Sequence, residues 1–259
     1  MSIPTATKRR RTPIRVSTRA DLEAIHRWLE HEHATGVPDN FLRHWKLAVR
    51  AHQEHRLLVY VDPPSGVPVG YEWGGLLQPG VLEVRRDMRR RGIGRQLVEH
   101  RMAQARRKDQ GLLYIECTPP TSIPFWRAMG FTALPASDEG HRYAYRILEK
   151  THVLPRGGHP IDVAIRFFPE AVVWEPTTEP LGCETPQALL YPDATIRLAK
   201  RVYLFERLYP EARDPVVEIA VEGQVRYRDK AKRDDAERLG VARCSNGFFL
   251  DRIHTVAWR

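Results

Sequence analysis

Cysteine is scarce in this chain of 259 residues: Cys117, Cys183 and Cys244 are odd in number, far apart and without a repeated spacing. That pattern argues against a disulfide framework and against a zinc-ligand set. It points to reduced thiols in a cytoplasmic protein. Long apolar runs are lacking too. None reaches the roughly 18 residues that a membrane-spanning helix needs, so no membrane partner is expected. The basic start Lys8-Arg9-Arg10-Arg11 is followed by no apolar stretch. This argues against a secretory signal and for a basic disordered tail over residues 1–12, although such a cluster also suits nucleic-acid contact or a localisation signal. Two nucleotide motifs are missing. No Gly-Lys-Ser/Thr is present, which removes a P-loop, and no Gly-x-Gly-x-x-Gly follows a first strand, which argues against a Rossmann site. No internal repeat is visible.

What is present is enough apolar content, 42%, for one large packed domain or two modest ones. The formal charge of +9 is unevenly placed: residues 1–150 hold 25 Lys and Arg against 16 Asp and Glu, and residues 151–259 hold 16 of each. A basic first part suits a polyanion or a phosphorylated cofactor, and equally suits solubility alone.

Apolar spacing predicts a strand from Ile14, then a helix capped by Ser17 with Leu22, Ile25, Trp28 and Leu29 on one face. A second helix is expected over Phe41–Gln53, with Phe41, Trp45, Leu47 and Val49 for packing. Strands follow at 57–61, 68–77 and 81–85. A helix opens at Gly92 and runs to about Lys108, burying Ile93, Leu97, Val98, Met102 and Ala105. Then come a buried strand over 112–117, a short helix around 122–129 and closing strands at 131–134 and 142–148. This order is a mixed α/β pattern. Residues 149–160, with Pro155, Gly157, Gly158 and Pro160, read as a linker. Beyond it, 161–168, 172–175, 194–205 and 215–228 look β-like, with a polar helix over 230–239. Phe167, Phe168, Trp174, Tyr203, Phe205, Phe248 and Phe249 are most simply its core.

The segment with the most chemistry in it is Val81-Leu82-Glu83-Val84-Arg85-Arg86-Asp87-Met88-Arg89-Arg90-Arg91-Gly92-Ile93-Gly94-Arg95. A strand runs into a basic, glycine-containing turn that opens a helix. The first N–H groups of a helix lack internal partners and, with the helix dipole, form a site for phosphate oxygens. Gly92 and Gly94 let the backbone approach such oxygens, while Arg89, Arg90, Arg91 and Arg95 add positive charge. A structural turn with a solvated basic face would have the same local pattern.

Arg89-x-x-Gly92-x-Gly94 resembles the pyrophosphate-binding signature of the GNAT superfamily of acyl-CoA-dependent N-acyltransferases. Two further motifs follow in order. Ile115-Glu116-Cys117 is similar to the family's Leu-Glu-Val strand, and Phe125-Trp126-Arg127-Ala128-Met129-Gly130-Phe131 to its Phe-Tyr-x-x-x-Gly-Phe helix end. The resemblance spans 13–150. It implies a GNAT-like α/β fold with a mixed, largely antiparallel sheet flanked by helices; residues 151–259, where no family is recognised, read from their β-like pattern as a second, smaller β-rich α+β domain. The resemblance further implies acetyl-CoA or another acyl-CoA as cofactor, held by Val84, Arg89, Arg90, Arg91, Gly92, Ile93, Gly94, Arg95, Thr118 and Trp126. The implied reaction is direct transfer to an amine.

The acceptor is left open among small molecules, proteins and aminoacyl-tRNA, and a homodimer is possible. Glu116 is the favoured general base, in the place of the carboxylate used by ribosomal-protein-type N-terminal acetyltransferases. A buried Glu paired with an Arg is the competing reading. Glu83 and Glu72 are weaker candidates. Trp126 departs from the family Tyr that protonates the leaving thiolate, and an indole N–H cannot deliver a proton. The general acid is therefore missing, supplied by another residue or replaced by water. The same departure supports an alternative, a non-catalytic acyl-CoA-binding module whose second domain docks a partner. The connection Thr118-Pro119-Pro120-Thr121 lacks the family Asn, with Thr118 the nearest polar substitute.

His26, His31 and His33 do not make a metal-ligand set without a third kind of group. Lys230, Lys232, Arg233 and Arg238 are interleaved with acids, as on a solvated face, so nucleic-acid binding rests only on the basic first part.

Overall fold

The computed structural model describes residues 13–37 and 40–258; the basic tail expected over 1–12 lies outside them. The chain divides into two compact units, one of Met1–Asp109 with Leu113–Arg146 and one of Gln110–Leu112 with Ile147–Arg259.

The first unit begins with β1 (Ile14–Val16) and helix α1 (Arg19–Ala34). The helix is capped by Thr18, not Ser17. Asp21 closes a capping box, its carboxylate accepting from the Thr18 N–H at 2.7 Å while its own N–H donates to the Thr18 hydroxyl at 3.3 Å. Ser17 is one residue too early for that reciprocity and instead pairs with His52 Nδ1 at 2.7 Å. Thr18→Ala should therefore cost about 1 kcal/mol in urea unfolding, the usual worth of such a cap.

A 3-10 turn at Phe41–His44 precedes α2 (Trp45–Gln53). The turn shifts the helical phase, so α2 buries Ala48 and Ala51 and leaves Leu47, expected to pack, 42% exposed. Strands β2 (Leu58–Val61), β3 (Pro68–Trp73) and β4 (Val81–Val84) follow. The strand expected to reach Leu77 stops at Trp73 because Gly74 and Gly75 take left-handed φ values of +96° and +70°. A Cβ on Gly74 would lie 2.5 Å from the Gly80 Cα, so the close approach of the two loop arms also needs glycine there.

Helix α3 (Ile93–Arg107), β5 (Leu112–Glu116), α4 (Ile123–Ala128), β6 (Thr132–Ala133) and β7 (Tyr143–Ile147) complete the expected order. The five apolar residues expected along α3 are all buried.

β1-β2-β3-β4 form an antiparallel sheet, and β5-β7-β6 a second. The two are joined by a parallel bridge between Leu77 and Tyr114, which makes the whole mixed but largely antiparallel. Alternation along the strands builds two cores. Leu57, Val59, Tyr71 and Val81 pack with Ile25, Trp28 and Leu29 of α1, while Leu58, Tyr60 and Val69 pack with Ile93 and Leu97 of α3.

The second unit is β-rich. β8 (His159–Pro160), β9 (Val163–Phe168), β10 (Gly182–Glu184), β11 (Ala188–Leu190), β12 (Thr195–Phe205), β13 (Val216–Val221), β14 (Gln224–Lys230), helix α5 (Asp234–Leu239), β15 (Ala242–Cys244) and β16 (Gly247–His254) form two antiparallel sheets, ordered β10-β9-β13-β14 and β15-β16-β12-β11-β8. Their shared core includes Ile165, Phe167, Ile196, Leu198, Ile219 and Leu250.

Several expectations are corrected here. The strand expected over 172–175 is not formed: residues 170–173 make a 3-10 turn after Pro169. Lys230 ends β14 opposite Val216, so the expected helix is confined to Asp234–Leu239. Trp174 is 63% exposed and no part of the core. The segment expected as a linker is tied down within this unit: Thr151 bridges Lys200, and His152 pairs with Asp251 at 2.8 Å beside the buried Arg201.

Candidate functional site

β4 and β5 define an opening in the first unit. The Gln78 N–H donates to the Tyr114 carbonyl at 2.8 Å and the Tyr114 N–H to the Leu76 carbonyl at 3.1 Å. Past these bonds the strands belong to different sheets, and β4 is an outer strand. The Arg85 N–H bonds the Val69 carbonyl at 2.9 Å. Val84, opposite Gly70 and one residue earlier, is therefore in a non-bonded pair, with its N–H and C=O facing away from β3. Its carbonyl accepts from Arg89 Nε at 2.9 Å, which folds the basic turn back onto the strand end.

The turn then enters α3. Arg90 and Gly92 both have left-handed backbone, φ +66° and +77°, an alternation that makes successive N–H groups converge on one concavity. Gly92 is the N-cap and offers no side chain. The first internal bond is Gln96 N–H to the Gly92 carbonyl at 3.1 Å, so the N–H groups of Ile93, Gly94 and Arg95 have no helical partner. The side chains of Arg90, Arg91 and Arg95 are exposed and make no ion pair among the described residues.

The two glycines serve different ends. A Cβ on Gly92 would enter open space beside these amides, with nothing within 4 Å. A Cβ on Gly94 would press on the Phe125 ring at 3.3 Å. Residues 89–95 thus bring unpartnered backbone amides and exposed guanidinium groups together at the start of α3.

The three glutamates fare differently. Glu72 is buried and paired with Arg101 of α3, and it accepts from the Gly75 N–H at 2.8 Å and the Leu76 N–H at 3.3 Å. These contacts fix the loop before β4.

Glu83 projects from the opposite face of the sheet, opposite Tyr71. Its Oε2 accepts from the Tyr71 hydroxyl at 3.1 Å and the Phe41 N–H at 3.3 Å, while Oε1 is buried with no hydrogen-bond partner. Burial pushes its carboxyl up to about 7, against the Phe41 and Tyr71 bonds that favour the charge; nearby Glu32 pushes the same way as burial. Glu32 itself holds the Arg86 N–H at 2.8 Å. An open cleft of about 820 Å³ beside α1 is lined by Trp28, His31, Glu32, Arg85 and Arg86.

Glu116 ends β5 with its side chain 31% exposed. Its Oε1 accepts from the Thr118 hydroxyl at 3.0 Å and lies 3.0 Å from His141 Nδ1. No arginine pairs with it among the described residues, contrary to the competing structural reading. Trp126 is buried, its indole meeting Phe125 and Phe131 edge-on at 5.0 and 5.2 Å between ring centres. Sequence reasoning named Phe125 only as part of a motif and did not single out Tyr71 or His141. His141 is 25 residues from Glu116, and no local pattern links the two.

Among the described residues no group of three or more His, Cys, Asp and Glu is placed to hold a metal ion, and no helix is long and apolar enough to cross a membrane.

Residues 22–131 match the model of the acetyltransferase (GNAT) family. The residues beyond them are covered by no family. No curated protein matches the chain. Among solved structures, the chain is similar to the ribosomal-protein-alanine N-acetyltransferase of Brucella melitensis, with 21% identity over 52% of this chain and 99% of that one and a TM-score of 0.40. It is similar to an acetyltransferase of Thermus thermophilus, with 23% identity over 52% and 96% and a TM-score of 0.37. It is also similar to a Salmonella typhimurium protein solved with its cofactor acetyl-CoA, with 19% identity over 56% and 97% and a TM-score of 0.41.

Proposed function

We propose that residues 13–150 bind acetyl-CoA or a related acyl-CoA and transfer its acyl group to an amine. The observation that carries this reading is the set of unpartnered amides at Ile93, Gly94 and Arg95, framed by left-handed Gly92 and placed just beyond the open edge of β4. The acyl-CoA supplies an activated thioester. The chain's own residues do the rest. The amides of 93–95, with Arg89, Arg90, Arg91 and Arg95, hold the diphosphate. The outward Val84 N–H polarises the acyl carbonyl as a preorganised donor. Thr118 and Phe125 lie beside the path, and buried Trp126 backs Phe125.

Glu116 receives the amine's proton. It is partly exposed at the end of β5, reachable by an acceptor, whereas Glu83 is closed off beneath Tyr71 and Phe41. A specific observation nevertheless favours Glu83 as second choice: its carboxyl, at about 7, has a proton affinity matched to neutral pH. Release of CoA in the presence of a panel of amines tests the activity. Wild-type protein that binds CoA but releases none with any amine would support the alternative of a non-catalytic acyl-CoA module. With an acceptor found, Glu116→Gln should lower kcat by about a hundredfold, the low end for a general base. If Glu116→Gln is near wild type and Glu83→Gln shows the loss, the roles are reversed.

Residues 151–259 carry no recognisable catalytic set, and we assign them a part in acceptor choice or assembly.

A further inference from the structure

Glu116 is not a lone carboxylate. The loop that brings His141 to it is pinned at several points. The Ser137 N–H donates to the His141 carbonyl at 2.9 Å, the His141 N–H to the Ser137 hydroxyl at 3.1 Å, and the Gly140 N–H to the Ser137 carbonyl at 2.8 Å. The Cys117 N–H, just past Glu116, donates to the Arg142 carbonyl at 2.7 Å. The His141 ring lies 6.2 Å from that of Tyr143, which stacks on Tyr114 at 5.3 Å. Three elements thus orient one imidazole: the loop, β5 and β7. Its Nδ1 is 3.0 Å from Glu116 Oε1, and its Nε2 is 3.6 Å from the exposed Glu139. The His141 side chain is 45% exposed, and that of Glu139 beside its Nε2 is 86% exposed.

Acyl transfer to an ammonium has a proton to dispose of. The N–C bond forms and the C–S bond breaks. Of the two protons the nitrogen loses, one ends on the CoA sulfur, and the other must reach water before the base can act again. We propose that His141 is the outlet for that second proton. Glu116 takes it from the amine, passes it to His141 Nδ1, and the imidazole releases a proton from Nε2 to solvent. His141 therefore acts through Glu116, as a positioning and relay residue that does not touch the substrate. This inference rests on acyl transfer with Glu116 as base. The titratable groups facing the imidazole are Glu116 of β5, Glu139 of its own loop and Tyr143 of β7. A histidine suits the task because it has two distinct ring nitrogens, so it can take up a proton at one and release one from the other.

The test separates holding from carrying. His141→Gln can still hydrogen-bond Glu116 but cannot carry a proton; His141→Ala can do neither. The expected result is a drop in kcat of about tenfold or more in both variants, an unchanged calorimetric affinity for CoA, and recovery of His141→Ala by imidazole added to the buffer. Glu116→Gln should show no such recovery. Wild-type turnover in His141→Gln would overturn the proposal, since a hydrogen bond alone would then suffice. Loss of CoA affinity in step with the rate would also overturn it, by placing His141 with the cofactor. If His141→Ala fails to fold, His141→Asn with the same imidazole addition replaces it. If wild-type protein binds CoA yet acylates no amine, the acyl-transfer reading itself fails, and the relay with it.

Discussion

Replacing Gly92 with valine is expected to weaken CoA binding by about a hundredfold or more, equivalent to roughly 3 kcal/mol, while the fold survives. The backbone at Gly92 has φ +77°, which a β-branched residue adopts only at a cost on the order of 1–3 kcal/mol. That corresponds to a fall in melting temperature of roughly 2–10 °C for a unit of this size. No packing clash adds to it, because nothing lies within 4 Å of the new Cβ. The side chain instead enters open space at the N-cap of α3, where the diphosphate is proposed to lie. Gly94→Val acts differently, since its Cβ meets the Phe125 ring at 3.3 Å and disturbs packing of α4 on α3. Calorimetry on both variants, with melting curves, checks this. Unchanged CoA affinity in Gly92→Val would remove α3 from the cofactor site.

The second large effect is on stability. Glu83 in the folded chain has its carboxyl pushed up to about 7 by burial, against an ordinary 4.5. Between those values the folded state keeps a proton that the unfolded state has lost, so the contribution of Glu83 is fully present below about 4.5 and disappears as pH rises through about 7. Glu83→Gln stays neutral throughout and escapes this loss. Between pH 4 and pH 8 the variant should therefore gain about 3 kcal/mol relative to wild type, from the span of the shift at ~1.4 kcal/mol per unit. Urea unfolding of both proteins at the two pH values measures the difference. Parallel pH dependences would mean that Glu83 is ionised in the folded chain, held by Tyr71, Phe41 and Arg89.

Much of the first unit was legible because its signals are local. The apolar face of α3 follows from a 3.6-residue period, and the order of strands and helices from alternation and turn residues. In the second unit, Gly223 in the β13–β14 turn and Gly240 at the end of α5 have left-handed backbone, which favours glycine. The departures have local causes too. Ser17 and Thr18 both suit a cap, and only Asp21 three residues on decides between them. Leu47 leaves its expected face because a 3-10 turn changes the phase of the helix that follows it. Residues 172–175 and 230–233 depart from expectation because the turn after Pro169 and the pairing of β14 with β13 override propensity.

By itself, the sequence determined that a basic, glycine-bearing turn joins a strand to a helix, that Glu83 and Glu116 lie on strands either side of it, and that the family motifs occur in order. These are statements about neighbours along the chain, where steric rules and periodicity act directly. Only the tertiary structure decided that β4 and β5 part beyond Tyr114, that Glu72 is neutralised by Arg101 while Glu83 is closed in with a raised proton affinity, and that His141 comes to Glu116. Burial and electrostatics depend on which groups the fold brings together across tens of residues, and a carboxylate has no mark in the sequence of the partner it will meet.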